Sequence, residues 1–344
     1  MHIGITYDLR SEYLAAGYGE EETAEFDQLG TIDAIDSALC ELGHMTDRIG
    51  QARNLVERLA AGDRWDLVFN ICEGLRGIAR EAQVPALLDV YDIPYTFADP
   101  ATLCVCLDKA LTKIVLRAAG VPTPDWFVVR ELADVASCGV AYPVIAKPLA
   151  EGTGKGIDTA SKVFDKQQLL SACERLLARY CQPVLVEHFL PGREFTVGLA
   201  GSGHAAEAVG SLEIILHSHA EPHVYSYVNK ENSEQLVDCR PACAASDVLV
   251  AQAESIALAA WQAIGGRDAG RIDLRCDATG NPQVMEINPL AGLHPTHSDL
   301  PMLWQASGRS YTSLIERIVM EASQRIVSTG LPRSLNTRQC TAAS

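Results

Sequence analysis

The stretch from Arg271 to Asn288, RIDLRCDATGNPQVMEIN, most constrains what this chain can fold into. Two strand-like runs, RIDLRCD and PQVMEIN, flank a turn at Asp277-Ala278-Thr279-Gly280-Asn281. The pattern predicts an antiparallel hairpin. Glu286 and Asn288 are two residues apart, so they face one side of the sheet, and the hairpin brings Asp273 opposite them. Three oxygen donors so placed suit magnesium, which binds through one or two carboxylates and substrate phosphates while keeping its waters. A hairpin with polar ends is the plainer reading of the triplet alone, so the rest of the chain has to decide.

At 344 residues the chain is long enough for two or three lobes, each with its own core. A formal net charge of −16 argues against broad nucleic-acid binding, which needs a basic face. Eleven cysteines without a CxxC pair read as reduced thiols in a cytoplasmic protein. The first residues, MHIGITYDLR, do not read as a signal peptide, and no apolar run of about 18 residues predicts a membrane span.

The N-terminal third alternates strand and helix, which predicts a small open α/β domain. Its expected elements are a strand at 2–6, a helix at 31–42 capped by Thr31 and Gly43, a strand at 66–71 and a helix at 81–91. A helix at 107–119 follows, closed by Gly120. Strands are expected at 126–129, 143–148, 183–188 and 194–200, with a helix at 166–180. The polar, His-rich segment 217–236 reads as a long surface loop. Helices are expected at 246–264, capped by Ser246, and at 309–326, and residues 331–344 as a disordered tail.

The chemistry is concentrated in three further segments. In VIAKPLAEGTGKGI, Lys147 ends a strand and Gly152, Gly154 and Gly156 alternate through a loop that also holds Glu151 and Thr153. Such a backbone can bring its N–H groups close to a phosphate. A lone glycine cluster is more often a flexible hairpin tip, but Lys147, Lys109 and the acidic triplet raise the phosphate reading. In PVLVEHFLPGREFTVGL, Glu187 is placed to accept from an adenine amine, with the backbone of His188, Phe189 and Leu190 along the base edge and Glu194 at the ribose. A solvated strand end is an equal reading of that segment alone. His217, His219 and His223 are left unassigned, because polar-loop histidines are more often solvated.

The set KPLAEGTGKGI, VEHFLPGREFTV, GRIDLRCD and MEINPLAGLHPTHSDLPM resembles the ATP-grasp superfamily and, within it, the D-alanine–D-alanine ligases. The resemblance runs in matching order over about residues 65–325. It implies an α/β (α+β) fold of three parts: an N-terminal open α/β domain at 1–105, a central ATP-binding lobe at 106–190 and a C-terminal catalytic lobe at 191–330. It implies Asp273, Glu286 and Asn288 as ligands of two magnesium ions, with manganese able to substitute. Glu187 and Glu194 match its adenine and ribose contacts, and Lys109, Lys147 and Lys230 its phosphate lysines, the last on a mobile lid. Arg271 and the Gly292 N–H match its oxyanion donors. The implied reaction joins a carboxylate to an amine through an acyl phosphate, releasing ADP and phosphate, and a homodimer is expected.

The substrate-facing parts depart from the family pattern. Its first-substrate glutamate has no direct counterpart, leaving Asp8 or Glu12 as candidates. Its HGxxGEDGxxQ segment is replaced by NICEGLRGIAREAQVP, Thr153 stands for a serine, and Glu231 follows Lys230 where tyrosine is usual. NPLAGLHPTHS is one residue longer, which moves His297 and Ser298 against the second substrate. The departures favour an amino-acid ligase of specialised metabolism. D-alanine–D-alanine ligation for peptidoglycan is the alternative, and an ATP-grasp kinase or ATP-binding module without ligation a further one.

Overall fold

The computed structural model describes residues 1–221, 226, 228, 229 and 232–328. Lys230, Glu231, His223 and the expected tail 331–344 lie outside the described residues. Three sheets organise the chain. Strands β1 (His2–Tyr7), β2 (Met45–Gly50) and β3 (Leu67–Ile71) form a parallel sheet in the order β2-β1-β3. Its side chains alternate between two cores: Leu67 and Phe69 join Ile3, Ile5 and Leu39 on one face, while Val68 packs with Leu55, Leu59 and Trp65 on the other. A parallel sheet covered on both faces in this way reads as a nearly continuous apolar run, which is why LVFNI was legible.

The second sheet is antiparallel, in the order β4-β7-β5-β6, from β4 (Trp126–Val129), β5 (Val144–Pro148), β6 (Lys162–Val163) and β7 (Val184–His188). The helix Lys166–Tyr180 buries Leu169, Ala172, Cys173 and Leu176 against it. The third sheet has the order β10-β9-β8-β11-β12, from β8 (Glu194–Ala200), β9 (Glu207–Leu216), β10 (Val237–Ala242), β11 (Ala269–Cys276) and β12 (Pro282–Asn288). Along β11 burial alternates: Ile272 and Leu274 face the helix Val248–Ala263, while Arg271, Asp273 and Arg275 stay half-buried on the other side. Trp261 of that helix lies so close that a Cβ at position 270 would sit 2.3 Å from its ring, so Gly270 is required there.

Several expected boundaries move. The first long helix is Leu29–Glu41, and Thr31 is a buried residue inside it, not a cap; Gly43, at φ +80°, still ends it. The helix Val248–Ala263 is capped by Asp247, whose carboxylate accepts from the Leu249 N–H at 3.0 Å. Ser246 instead donates to the Cys243 carbonyl. An acid at this position satisfies an orphan N–H and also favours the helix dipole. Part of the expected 217–236 loop has regular structure: the His217 N–H donates to the Leu236 carbonyl at 2.9 Å, a short helix spans Ser233–Leu236, and β10 follows. Strand β10, VDCRPA, escapes sequence reading because a polar edge strand carrying proline has no apolar alternation. Among the described residues no helix is long and apolar enough to cross a membrane.

Candidate active site

The β11–β12 hairpin sets the site. Its register pairs Asp273 with Glu286 and Arg271 with Asn288. Asp273 accepts from Thr196 Oγ1 at 2.9 Å and from Asn288 Nδ2 at 3.3 Å, and Arg271 approaches it at 3.2 Å. Arg271 is also held by Asp299 at 2.8 Å. Two carboxylates and an amide oxygen converge here on one sheet face, a donor set of the kind that holds magnesium together with substrate phosphates. The pairing slips between Asp273 and Leu274, because Leu274 pairs with Val284 and Met285 is left over. This bulge turns Met285 and its neighbour Glu286 into the same cavity. Sequence reading missed Met285, since strict alternation would point it away.

Opposite the hairpin lies the second sheet. Ile145 pairs with Glu187, which puts Lys147 diagonally across from Glu187; the two form a 2.5 Å ion pair. Lys113 closes on the other carboxylate oxygen at 2.9 Å. It lies one helical turn after Lys109 in the helix Lys109–Ala118, which Asp108 caps. Burial opposes ionisation of Glu187, but Lys113 and Lys147 outweigh it and hold its carboxyl down at about 2. Burial likewise drives Lys113 down to about 8, against the pull of Glu187. Lys113 was not singled out in the sequence; its partner comes from another sheet, and nothing local announces it.

One cavity, of about 260 Å³, is lined by Lys109, Lys147, Glu187 and Glu194 from one side and by Arg271, Asp273, Glu286 and Gly292 from the other. Lys109 reaches Glu286 at 3.3 Å and donates to the Glu151 carbonyl. Glu194 pairs with Arg275 at 3.2 Å. The apolar lining is Ile145, Ile157 and Met285. The amides of His188 and Phe189 are already donated to the Asp125 and Pro143 carbonyls, both at 2.9 Å. Those two amides are therefore committed within the protein.

The glycine loop leans on the N-terminal region. Thr153 is in the left-handed region at φ +53°, as are Gly154 and Gly156 at +70° and +74°. A side chain at Gly152 would lie 2.2 Å from Glu25 Oε1. Glu25 is held by Lys155 at 2.6 Å and Arg80 at 3.1 Å. Burial opposes its ionisation, yet those two cations keep its carboxyl below the usual range.

A second cavity, of about 400 Å³, adjoins the first and shares Lys109, Arg271, Glu286, Gly292, His297 and Ser298 with it. Asn288, Thr153 and Gly152 line it as well. Ser298 is close to Gly292, where an added Cβ would meet its hydroxyl at 2.8 Å, and it accepts from the His294 N–H at 2.9 Å. Asp8 and Glu12 are not brought here. They line a separate recess, where Asp8 is buried against the Tyr13 hydroxyl and accepts from the Gly74 N–H at 2.9 Å. Besides Glu151 and Glu286, the acids that line the second cavity are Glu25, Asp27, Glu73 and Glu81. Residue 27 reaches it because the chain doubles back after the first short helix, bridging Leu9 to Asp27. Burial pushes both Asp27 and Glu81 up to about 7, and burial with the nearby Glu81 and Glu25 carries Glu73 well above the carboxylate range.

The family model for the D-ala D-ala ligase C-terminus matches residues 115–320. The chain belongs to the D-alanine–D-alanine ligase family. The D-alanine–D-alanine ligase of Bordetella petrii is 32% identical over 326 residues, covering 94% of this chain and 93% of that protein. An uncharacterized protein of Sinorhizobium fredii, y4sG, is 32% identical over 306 residues, covering 87% and 89%. The crystal structure of the D-alanine–D-alanine ligase from Bacillus anthracis has a TM-score of 0.72 at 21% identity, covering 96% of this chain and all of that one, so the fold is shared. Membership makes this chain an ATP-grasp enzyme of the carboxylate–amine ligase class, one that forms C–N bonds.

Proposed function

We propose that the chain joins two D-alanine molecules at the expense of ATP, giving the dipeptide, ADP and phosphate. The supporting observation is that phosphate lysines, paired hairpin carboxylates, Arg271 and Gly292 all line one cavity that opens into a second. The choice of D-alanine rests on the relatives, several of which are D-alanine–D-alanine ligases aligned over most of both chains. In this reading the first-cavity residues hold the nucleotide: Ile145, Ile157 and Met285 flank the base, Glu194 takes the ribose, and Lys109 and Lys147 the phosphates. Asp273, Glu286 and Asn288 would hold magnesium, which neutralises phosphate charge during transfer.

A substrate carboxylate in the second cavity attacks the γ-phosphoryl group, and ADP leaves. The second amine then attacks the acyl phosphate, and phosphate leaves. Phosphoryl transfer needs positioning and charge neutralisation more than covalent help. Arg271, held rigid by Asp273 and Asp299, and the Gly292 N–H serve the tetrahedral oxyanion. His297 and Ser298 serve the second substrate's carboxylate. The division into parts at 1–105, 106–190 and 191–330, the lid role of Lys230 and a homodimer complete the proposal.

The test is ADP and phosphate release with Mg-ATP and D-alanine, with the product weighed by mass spectrometry. Dipeptide formation is expected. ADP without free phosphate, with a phosphorylated amino acid, would replace ligation by a kinase reaction. The second reading, ligation of a specialised pair, is favoured by the acidic wall of the second cavity, and an amide formed only with other amino acids would establish it.

A further inference from the structure

Two residues behind the first cavity tie its two ends together. The helix Lys109–Ala118 closes at Gly120, and the chain after it runs beside β12. Strand β12 is an edge of its sheet, so one row of its backbone groups has no strand to pair with. At Val284 those groups are taken up. Its N–H donates to the Pro122 carbonyl at 2.9 Å, and its carbonyl accepts from the Thr123 hydroxyl at 2.8 Å. Val284 immediately precedes Met285 and Glu286, the two residues that the bulge turns into the cavity.

The same hydroxyl also faces the second sheet. It accepts from the Lys113 ammonium at 2.9 Å, and Lys113 lies 2.9 Å from Glu187 Oε2. A hydroxyl has one proton to give. Thr123 gives it to Val284, so toward Lys113 it acts as the acceptor, and the direction of both bonds is fixed. A continuous chain of contacts therefore runs from the β12 backbone through Thr123 and Lys113 to Glu187. The side chains of Lys113 and Glu187 are only 1% and 5% exposed, so water does not compete for these contacts.

Glu187 carries the chain into the site. Its Oε1 is taken by Lys147 at 2.5 Å. Its Oε2 has the Lys113 charge beside it but accepts no hydrogen bond of good geometry among the described residues. A buried acceptor in that state, on a residue lining a cavity, is ready for one donor from a ligand. Lys113 and Thr123 line neither cavity, so they act on a ligand through Glu187 and Val284.

We propose that Thr123 and Lys113 are positioning residues for the nucleotide: they set Glu187 Oε2 to receive the amine of an adenine, and they fix how far that oxygen stands from Glu286 at the phosphate end. The proposal rests on the reading of the first cavity as the ATP site.

The experiment reads nucleotide binding by the full chain, so it is independent of which amino acids are ligated. Mg-ADP and the Mg complex of purine riboside diphosphate, which lacks the 6-amino group, are titrated by calorimetry into the unmodified chain, Thr123→Val, Thr123→Ser and Lys113→Met. The unmodified chain is expected to prefer ADP by about tenfold or more, as a hydrogen bond to a charged acceptor implies. Thr123→Val keeps the shape and loses the hydroxyl, and is expected to cut that preference by about threefold to fivefold, with Thr123→Ser restoring it. A residue that only supports the fold would lower the urea midpoint and leave the ratio of the two affinities alone. Lys113→Met is expected to bring the two nucleotides to about parity; should it not fold, the two Thr123 variants decide. An unchanged preference in Thr123→Val, an equal loss in Thr123→Ser, or no preference in the unmodified chain overturns the positioning role and leaves the ATP site standing. Binding of neither nucleotide by the unmodified chain overturns the ATP site and the positioning role together.

Discussion

The two adjoining cavities treat negative charge in opposite ways. In the first, every carboxylate of the wall has a cation at hand: Glu187 lies between Lys113 and Lys147, Glu194 against Arg275, Asp273 against Arg271, and Glu286 against Lys109. In the second, Asp27, Glu73 and Glu81 have no ion pair among the described residues, and burial pushes their carboxyls up, above the ordinary range, despite the nearby Arg80 and Lys109. The first wall is organised before any ligand arrives, its lysines fixed by the acids beneath them. The second favours the neutral form of its acids instead of neutralising them with fixed cations.

The largest expected effect tests the first wall's function. Asp273→Asn, Glu286→Gln and Arg271→Met should each lower kcat by about 10²–10³-fold or more in an ADP-release assay. Retention of near-normal turnover in all three would end the proposed assignment of this cavity.

The next effect separates the walls by stability. Lys113→Met leaves a buried carboxylate with one partner fewer and should destabilise the fold by about 3 kcal/mol in urea unfolding. Glu81→Gln replaces a buried carboxyl that burial pushes up to about 7 and should stabilise the fold by about 1 kcal/mol at neutral pH. Equal signs for the two substitutions would erase the comparison.

The smallest effect is in pH dependence, and the two walls slope in opposite directions. Glu187 falls from 4.5 to about 2 on folding, so its contribution is full above 4.5 and is lost as pH drops toward 2. Glu81 rises from 4.5 to about 7, so its contribution is full below 4.5 and is lost as pH climbs toward 7. Urea midpoints followed from pH 4.5 to about 7 should fall less steeply in Glu81→Gln than in the unmodified chain.

The first wall was largely legible in the sequence, because its members sit on strands whose period is fixed. Spacing alone put Glu286 and Asn288 on one face and Asp273 across from Glu286. The second wall was not legible. Asp8 and Glu12 follow β1 directly and looked like the substrate acids, but the carboxylate of Asp8 turns to Tyr13 and Gly74. The acids that reach the cavity come from a stretch that folds back over the first helix and from the turn before Gln83–Val90, whose approach depends on tertiary contacts. Lys113 was invisible for the same reason, since only a strand from another sheet gives it a partner.

The bulge at Met285 has a consequence for how a ligand is sorted along its length. A regular strand shows a recess every second residue, so a change from greasy to charged lining takes two steps. Here consecutive residues, a thioether and a carboxylate, share the recess. The border between the oily and the ionic halves of whatever lies there is drawn within one residue's rise, about 3.3 Å. Removing a single residue from β12 would restore the even rhythm and leave the sheet paired, but it would send one of those two side chains to the far face.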